Sequence, residues 1–347
     1  MQDRKETNRP LLEVKNLQVE FHMRQGTVYA VRGVNFSLRK GEILGLVGES
    51  GCGKSVTANT ILGLLGKKKH EKTSGEIWFH DQNILRQSEK EQQKLRGNKI
   101  AMIFQDPMTA LDPVVKVGKQ VGEVLEIHQK KSKKEAFAQA VKQLMRVGIP
   151  AAKERAQDYP FQFSGGMRQR AVIASSLMCE PEILIADEPT TALDVTIQAQ
   201  ILDLLRELRD KNDVAILLIT HDMGVVAELC DTVAVMYAGE IVEKAPVEIL
   251  FQTPLHPYTQ GLLKCIPVPG KKERLTPIPG QPPKLYEKTP GCKFAPRCPY
   301  HTEKCDGNNH LTEIAPNHFV ACPRAQEQAG FSPASGTEEK KGGSNER

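Results

Sequence analysis

The stretch Gly48-Glu49-Ser50-Gly51-Cys52-Gly53-Lys54-Ser55 constrains this chain more than any other, because it meets every fixed position of the phosphate-loop pattern G-x-x-x-x-G-K-[ST]. The apolar run Ile43 to Val47 leads into it and reads as a buried strand. Val56, Ile61, Leu62 and Leu65 then recur at helical spacing, with Gly66 as a stop. Strand, glycine loop and helix stand in the order that phosphate binding needs. Glycines let the backbone curl until its N–H groups face an anion, and the helix N-terminus adds partial positive charge. In such a loop Lys54 reaches the terminal phosphates and Ser55 holds Mg²⁺. The implied ligand is a nucleoside triphosphate.

The 347 residues suffice for one large domain or two ordinary ones. A net charge of +5 is too mild to argue for nucleic acid. The lysine runs at 67–69 and 130–134 read as solvated loop and helix-end charge. No stretch approaches the roughly 18 consecutive apolar residues of a membrane-spanning helix. The polar residues Met1 to Pro10 do not resemble a signal peptide, so a cytoplasmic location is expected unless a partner ties the chain to a membrane.

Taken in order, residues 1–10 read as a loose tail, and Leu11 to Phe21 alternate as an antiparallel strand does. Tyr29 to Val31 and Val34 to Leu38 continue in that style, with Gly26 and Gly33 as punctuation. Ser74 to Phe79 and Ile100 to Phe104 are further strands. Between residues 106 and 163 strands give way to helical periodicity, as in a helical subdomain inserted into an α/β core. The core resumes with a helix from Gly165 to Met178 and strands at Ile183 to Ala186 and Ala215 to Thr220. A hairpin turning at Ala238-Gly239 follows. Beyond residue 250 proline becomes frequent, which opposes long regular elements, so 251–325 is expected as an irregular extension and 326–347 as disordered.

Asp187-Glu188 end a buried strand, where two carboxylates can divide labour. The first can bind Mg²⁺, and the second can orient or deprotonate the attacking water. A solvated acidic turn is the bland alternative. His221, after the next strand, and Gln105, after Ile100 to Phe104, are placed to meet a γ-phosphate, the water or Mg²⁺, although either residue alone is weak evidence. Ser164-Gly165-Gly166-Met167-Arg168-Gln169 is a second glycine-containing helix start with Ser164 as cap, and alone it is a generic capped helix.

Together these segments resemble the nucleotide-binding subunit of an ABC transporter, over residues 11 to 325. Residues 48–55 match its Walker A motif, Gln105 the Q-loop, Phe163 to Gln169 the signature, Ile183 to Glu188 Walker B, Ala192-Leu193-Asp194 the D-loop and His221 the switch histidine. The resemblance implies a RecA-like P-loop α/β core with an antiparallel β subdomain and a helical subdomain, working as a dimer with two ATPs between subunits. It implies that Glu188 is the catalytic base, assisted by His221 and Gln105. Ser55, Gln105 and Asp187 would hold Mg²⁺. Residues 48–55 with Val56 would cradle ATP, and Phe21, with Tyr29 as rival, would stack on adenine. Ser164, Gly165, Gly166 and Gln169 would meet the ATP of the partner's loop, and Asp194 would link the two sites.

His256-Pro257-Tyr258-Thr259 with Leu262-Leu263 resembles the C-terminal extension of oligopeptide and dipeptide importers, and IADEPTTALD and SGGMRQR resemble their D-type ATPase. That resemblance implies a heterodimer with an F-type paralogue, two integral membrane permeases and an extracytoplasmic peptide-binding protein. The place of action would be the cytoplasmic face of the inner membrane, with no nucleic acid involved. Nickel, glutathione or an oligosaccharide is the alternative cargo. A soluble ABC protein of DNA repair or the ribosome is disfavoured, because the chain lacks a second cassette and a long coiled-coil insertion. A redox-sensing module is the third reading.

Of eight cysteines, Cys292, Cys298, Cys305 and Cys322 crowd together with five, six and sixteen residues between neighbours. In a reducing compartment such clustering argues for metal rather than disulfides. Four thiolates can ligate Zn²⁺ or an iron–sulfur cluster, and the resemblance favours a [4Fe-4S] cluster as the staple of the extension.

Overall fold

The computed structural model describes residues 9–66, 68–191, 193–266, 277–286, 290–307 and 309–329. The start of the N-terminal tail, Ala192 of the D-loop match and residues 330–347 lie outside these ranges.

Strands occur at β1 (Leu12–Met23), β2 (Gly26–Leu38), β3 (Ile43–Val47), β4 (Glu71–Phe79), β5 (Gln82–Asn83) and β6 (Ile100–Ile103). They continue with β7 (Ile183–Asp187), β8 (Ala215–Thr220), β9 (Thr232–Tyr237), β10 (Glu240–Pro246), β11 (Thr312–Ala315) and β12 (His318–Val320). One sheet has the order β2-β1-β4-β5 and is antiparallel. The other has the order β11-β12-β10-β9-β3-β8-β7-β6. Within it β9, β3, β8, β7 and β6 run parallel, and the β10 side is antiparallel.

The parallel strands are buried on both faces, which is why they read as unbroken apolar runs. Alternate residues serve two layers. Leu44, Leu46, Ile185, Leu217 and Ile219 pack toward the antiparallel sheet together with Val14, Val31 and Phe36. Ile43, Val47, Leu184, Leu218 and Val235 face the helical layer, where Val121, Leu125, Ala140 and Leu144 join them. The insert contains helices Val117–Gln129 and Lys133–Arg146, the second opened by a capping box of Ser132 and Glu135. Both pack on the helix Gly165–Ser176.

Two expectations need correcting. Gly33 does not break a strand: at φ 82 it lies inside a continuous β2, where the pairing with β1 shifts register. The region after residue 250 is also less irregular than its prolines suggest. Pro257 opens the helix Pro257–Lys264 at a position where its missing N–H costs nothing. β12 pairs with β10, so β12 and β11 extend the main sheet, and the helix Pro323–Gln328 runs into the segment expected to be disordered.

His256 makes the stability of this region depend on pH. It is 1% exposed, and its Nδ1 accepts from the Tyr258 N–H at 3.1 Å, which requires a neutral ring. Burial, only partly offset by Glu243, lowers its pKa from 6.5 to about 4. The unfolded chain therefore takes up a proton first as pH falls, and stability drains away between pH 6.5 and 4, by roughly 3 kcal/mol at the acid end. His256→Asn keeps a capping acceptor and removes the titration, so its urea midpoint is expected to fall less than that of the unaltered chain over this window. Equal pH slopes would assign the loss to other groups.

Candidate active site

The loop after β3, Gln105 after β6, Glu188 after β7 and His221 after β8 share the C-terminal edge of the parallel strands, where open α/β sheets bind ligands. The phosphate loop lies tightly against its neighbours. A Cβ on Gly48 would sit 2.1 Å from the Met236 carbonyl oxygen, and one on Gly53 would sit 2.4 Å from that of Ala30. Both glycines also have positive φ, 151° and 109°. Gly53 caps the helix Lys54–Ile61. Lys54 is 6% exposed, and its Nζ donates to the Gly48 and Glu49 carbonyls at 2.7 and 3.0 Å. The lysine thus bridges its own loop. Ser50 and Gly51 stand exposed, Cys52 is buried, and Val56 packs on the inner core.

Ser55 hydrogen-bonds Asp187, whose carboxyl is raised in pKa by burial and by Glu188, against the pull of Ser55 and Lys54. The Asp187 Oδ1 is buried without a hydrogen-bond partner. An orphaned carboxylate oxygen beside a loop hydroxyl fits Mg²⁺, which takes one or two protein ligands and completes its shell with water and phosphate oxygens.

Glu188 holds a left-handed backbone at φ 49°. Its Oε2 accepts from the Gln105 Nε2 at 2.9 Å and the Thr191 Oγ1 at 3.0 Å, and its Oε1 lies 3.1 Å from the His221 Nδ1. Burial pulls its pKa up, but the His221, Thr191 and Gln105 contacts outweigh this and lower it. The group is a carboxylate, the form a general base needs. Thr191 is absent from the sequence reading; its position three residues after Glu188 was the available signal.

The signature segment presents Ser164 and Gly165 to solvent, and the Ser164 Oγ caps its helix by accepting from the Met167 N–H at 3.3 Å. Gly166 lies over Ile197, 3.3 Å from where its Cβ would be. Gln169 corrects its expected role: it is 2% exposed, and its amide donates to the Pro189 carbonyl at 2.8 Å. It ties the signature helix to the turn after β7 instead of reaching a nucleotide. Asp194 caps the helix Val195–Asn212, accepting from the Ile197 N–H at 2.9 Å. Phe21 is half-buried against the inner core, whereas Tyr29 lies under the Arg32 guanidinium and beside Ala30, whose carbonyl touches the loop at Gly53.

The cysteine staple is overturned. Among the described residues no group of three or more His, Cys, Asp or Glu side chains is placed to hold a metal ion, which removes both the iron–sulfur cluster and its zinc alternative. The sulfurs of Cys292, Cys298 and Cys305 have local company instead. Cys292 lies 3.9 Å from the His256 Nε2, Cys298 accepts from the Tyr300 N–H at 3.4 Å, and Cys305 lies 3.8 Å from the Thr302 Oγ1. Burial, with the neighbouring thiols, pushes Cys292 up to about 12 and also raises Cys322. The region is held by an aromatic cluster of Tyr237, Tyr258 and Phe294 and by the buried His318–Glu243 pair at 2.8 Å.

The chain matches the family model described as ABC transporter over residues 31–191, and the oligopeptide/dipeptide transporter C-terminal region over 242–305. It is 55% identical to the dipeptide transport ATP-binding protein DppD of Bacillus subtilis, covering 85% of this chain and 89% of that one. It is 49% identical to the oligopeptide transport ATP-binding protein OppD of Escherichia coli, covering 92% and 94%. Among solved structures it is similar to a dimeric ATP-binding cassette in a post-hydrolysis state with ADP and phosphate. The TM-score there is 0.62 at 28% identity, over 68% of this chain and 98% of that one.

Proposed function

This chain belongs to the family of dipeptide and oligopeptide transport ATP-binding proteins of the ABC transporters, and from that premise we propose how it works as the ATP-hydrolysing subunit of a peptide importer. It binds ATP with Mg²⁺ and acts as a peripheral subunit at the inner membrane, with membrane permeases and a substrate-binding protein. The observation that carries the mechanism is the Glu188 carboxylate, held by Gln105, Thr191 and His221 at one sheet edge with the phosphate loop.

In this mechanism Lys54 leaves the Gly48 and Glu49 carbonyls for the β- and γ-phosphates, and the loop N–H groups hold the rest of the chain of phosphates. Asp187 and Ser55, with Gln105 beside them, would hold Mg²⁺, which would supply positive charge toward the phosphates. Glu188 takes a proton from the attacking water, and His221 donates to the γ-phosphate. Phe21 or Tyr29 stacks on adenine. The exposed N-terminus of Gly165–Ser176, with Ser164 to Gly166, meets ATP on a partner ATPase, for which an F-type paralogue is the proposed identity, and Asp194 links the two sites.

The functional division proposed is 11–250 for ATPase work, with 106–163 facing the permeases, and 251–325 as the peptide-importer extension. An apolar cleft between core and insert supports the permease contact. It is lined by Met102, Ala110 and Val124, and Leu64, Phe104 and Ile127 are 41%, 44% and 57% exposed beside it. The test is ATPase activity of the assembled complex in vesicles. Stimulation by binding protein loaded with di- or oligopeptide is expected. Stimulation only by nickel, glutathione or oligosaccharide would replace the cargo, and no stimulation by any of them would overturn the importer reading.

A further inference from the structure

We propose that Tyr258 and Arg297, both in the C-terminal region, are positioning residues for ATP binding that act through Glu49, the second residue of the phosphate loop. Every polar group of Glu49 is engaged. Its N–H donates to the Tyr258 hydroxyl at 2.9 Å. Its carboxylate takes a two-pronged bond from Arg297, Nη1 to Oε2 at 2.9 Å and Nη2 to Oε1 at 3.1 Å. Its carbonyl accepts from the Lys54 Nζ at 3.0 Å. The loop is thus gripped on one side by its own lysine and on the other by residues more than two hundred positions later in the chain.

Both gripping side chains are fixed from behind. Arg297 is 9% exposed, and it also donates from Nε to the Pro279 carbonyl at 2.8 Å and from Nη1 to the Tyr237 hydroxyl at 3.2 Å. Burial alone would lower its pKa, but the bonds to Glu49 and Tyr237 raise it, so the guanidinium stays charged. Tyr258 is fully buried, its ring 4.6 Å from that of Tyr237 and 5.5 Å from that of Phe294. A planar guanidinium and a packed phenol set position more firmly than flexible side chains do.

Charge gives this arrangement a purpose beyond docking. A carboxylate next to Gly48 lies at the mouth of a loop built for polyanions, and left alone it repels the triphosphate. Arg297 offsets that charge through its two-pronged bond. Glu49 belongs to the loop expected to cradle ATP through its backbone, and its carboxylate faces Arg297. Family membership leaves this coupling of extension to loop unspecified, and it rests on the reading of residues 48–55 as the ATP site.

The test uses the full chain and measures fluorescent ATP affinity with Mg²⁺, ATPase KM and kcat, and melting temperature. Arg297→Gln is expected to raise Kd and KM for ATP about tenfold, the effect of one uncompensated charge near the phosphates. Glu49→Gln combined with Arg297→Gln is expected to recover most of that loss, because the repelling charge is gone although the fork is still missing. Tyr258→Phe, which removes one oxygen, is expected to raise Kd for ATP severalfold with little change in melting temperature, and an unchanged Kd would overturn the role of Tyr258. Arg297→Gln with Kd and KM within about twofold of the unaltered chain would overturn the proposal, as would a double variant no better than the single one. If the unaltered chain itself fails to bind ATP, the ATP-site reading falls, which is a separate result.

Discussion

Replacing Glu188 by glutamine is expected to stop ATP turnover while leaving ATP bound. The carboxylate is held ionised at the sheet edge that carries the phosphate loop, placed to take a proton from water there. Its neighbours hold it in that form: His221, Thr191 and Gln105 lower its pKa against the upward push of burial. By linkage these contacts contribute stability that is present above the ordinary carboxylate range and lost only as pH falls through the lowered folded value. Mild acidification should therefore spare the base. Glutamine keeps the shape and removes the proton acceptor, so turnover should drop by about 10²–10⁴-fold. Removing a negative charge near the triphosphate also favours the bound state, and an ATP-bound dimer should accumulate. Phosphate release and light scattering after size exclusion check both halves. Hydrolysis within about tenfold of the unaltered chain would reject Glu188 as the base.

Lys54→Ala is the second large effect, and it falls on binding. The ammonium now satisfies the carbonyls of Gly48 and Glu49 while almost excluded from solvent. When it turns to phosphate it makes charge-assisted hydrogen bonds, each contributing about 1.5–3 kcal/mol. Losing two of these should weaken ATP affinity by about 100-fold or more. The two carbonyls can take water in its place, so the fold should survive, as circular dichroism would show. An affinity within about threefold of the unaltered chain would mean the loop does not grip phosphates through this side chain.

Much of the architecture was legible because it rests on local rules. Ala215 to Thr220 forms a strand with the expected ends, since a strand buried on both faces must be apolar throughout. The hairpin turns at Ala238-Gly239 because both residues take positive φ, 47° and 89°. The insert read as helical, and does form helices, because one apolar stripe recurs at helical spacing. What failed depended on partners far away in sequence. β12 has three residues and no pattern of its own; it exists because β10 offers an unpaired edge. Gln169 lies in a motif, but motif membership cannot say which way a side chain turns, and here the turn after β7 claimed it. The four cysteines carry donor chemistry in their type and crowding, whereas ligation also demands convergence of three or more donors, which type and spacing cannot supply and which the described residues do not show.

By itself, the order of residues determined that a glycine loop lies between a buried strand and a helix, that two carboxylates end a later strand, and that the family's motifs stand in sequence. Those are consequences of backbone freedom and side-chain periodicity within a few residues. Only the tertiary structure decided that Asp187 keeps an orphaned oxygen beside Ser55, that Glu188 is held ionised by three residues from three segments, and that Tyr258 and Arg297 grip Glu49. Each of these depends on distance and burial between parts of the chain that meet only when the sheet assembles, and electrostatic effects scale with distance and burial and not with sequence position.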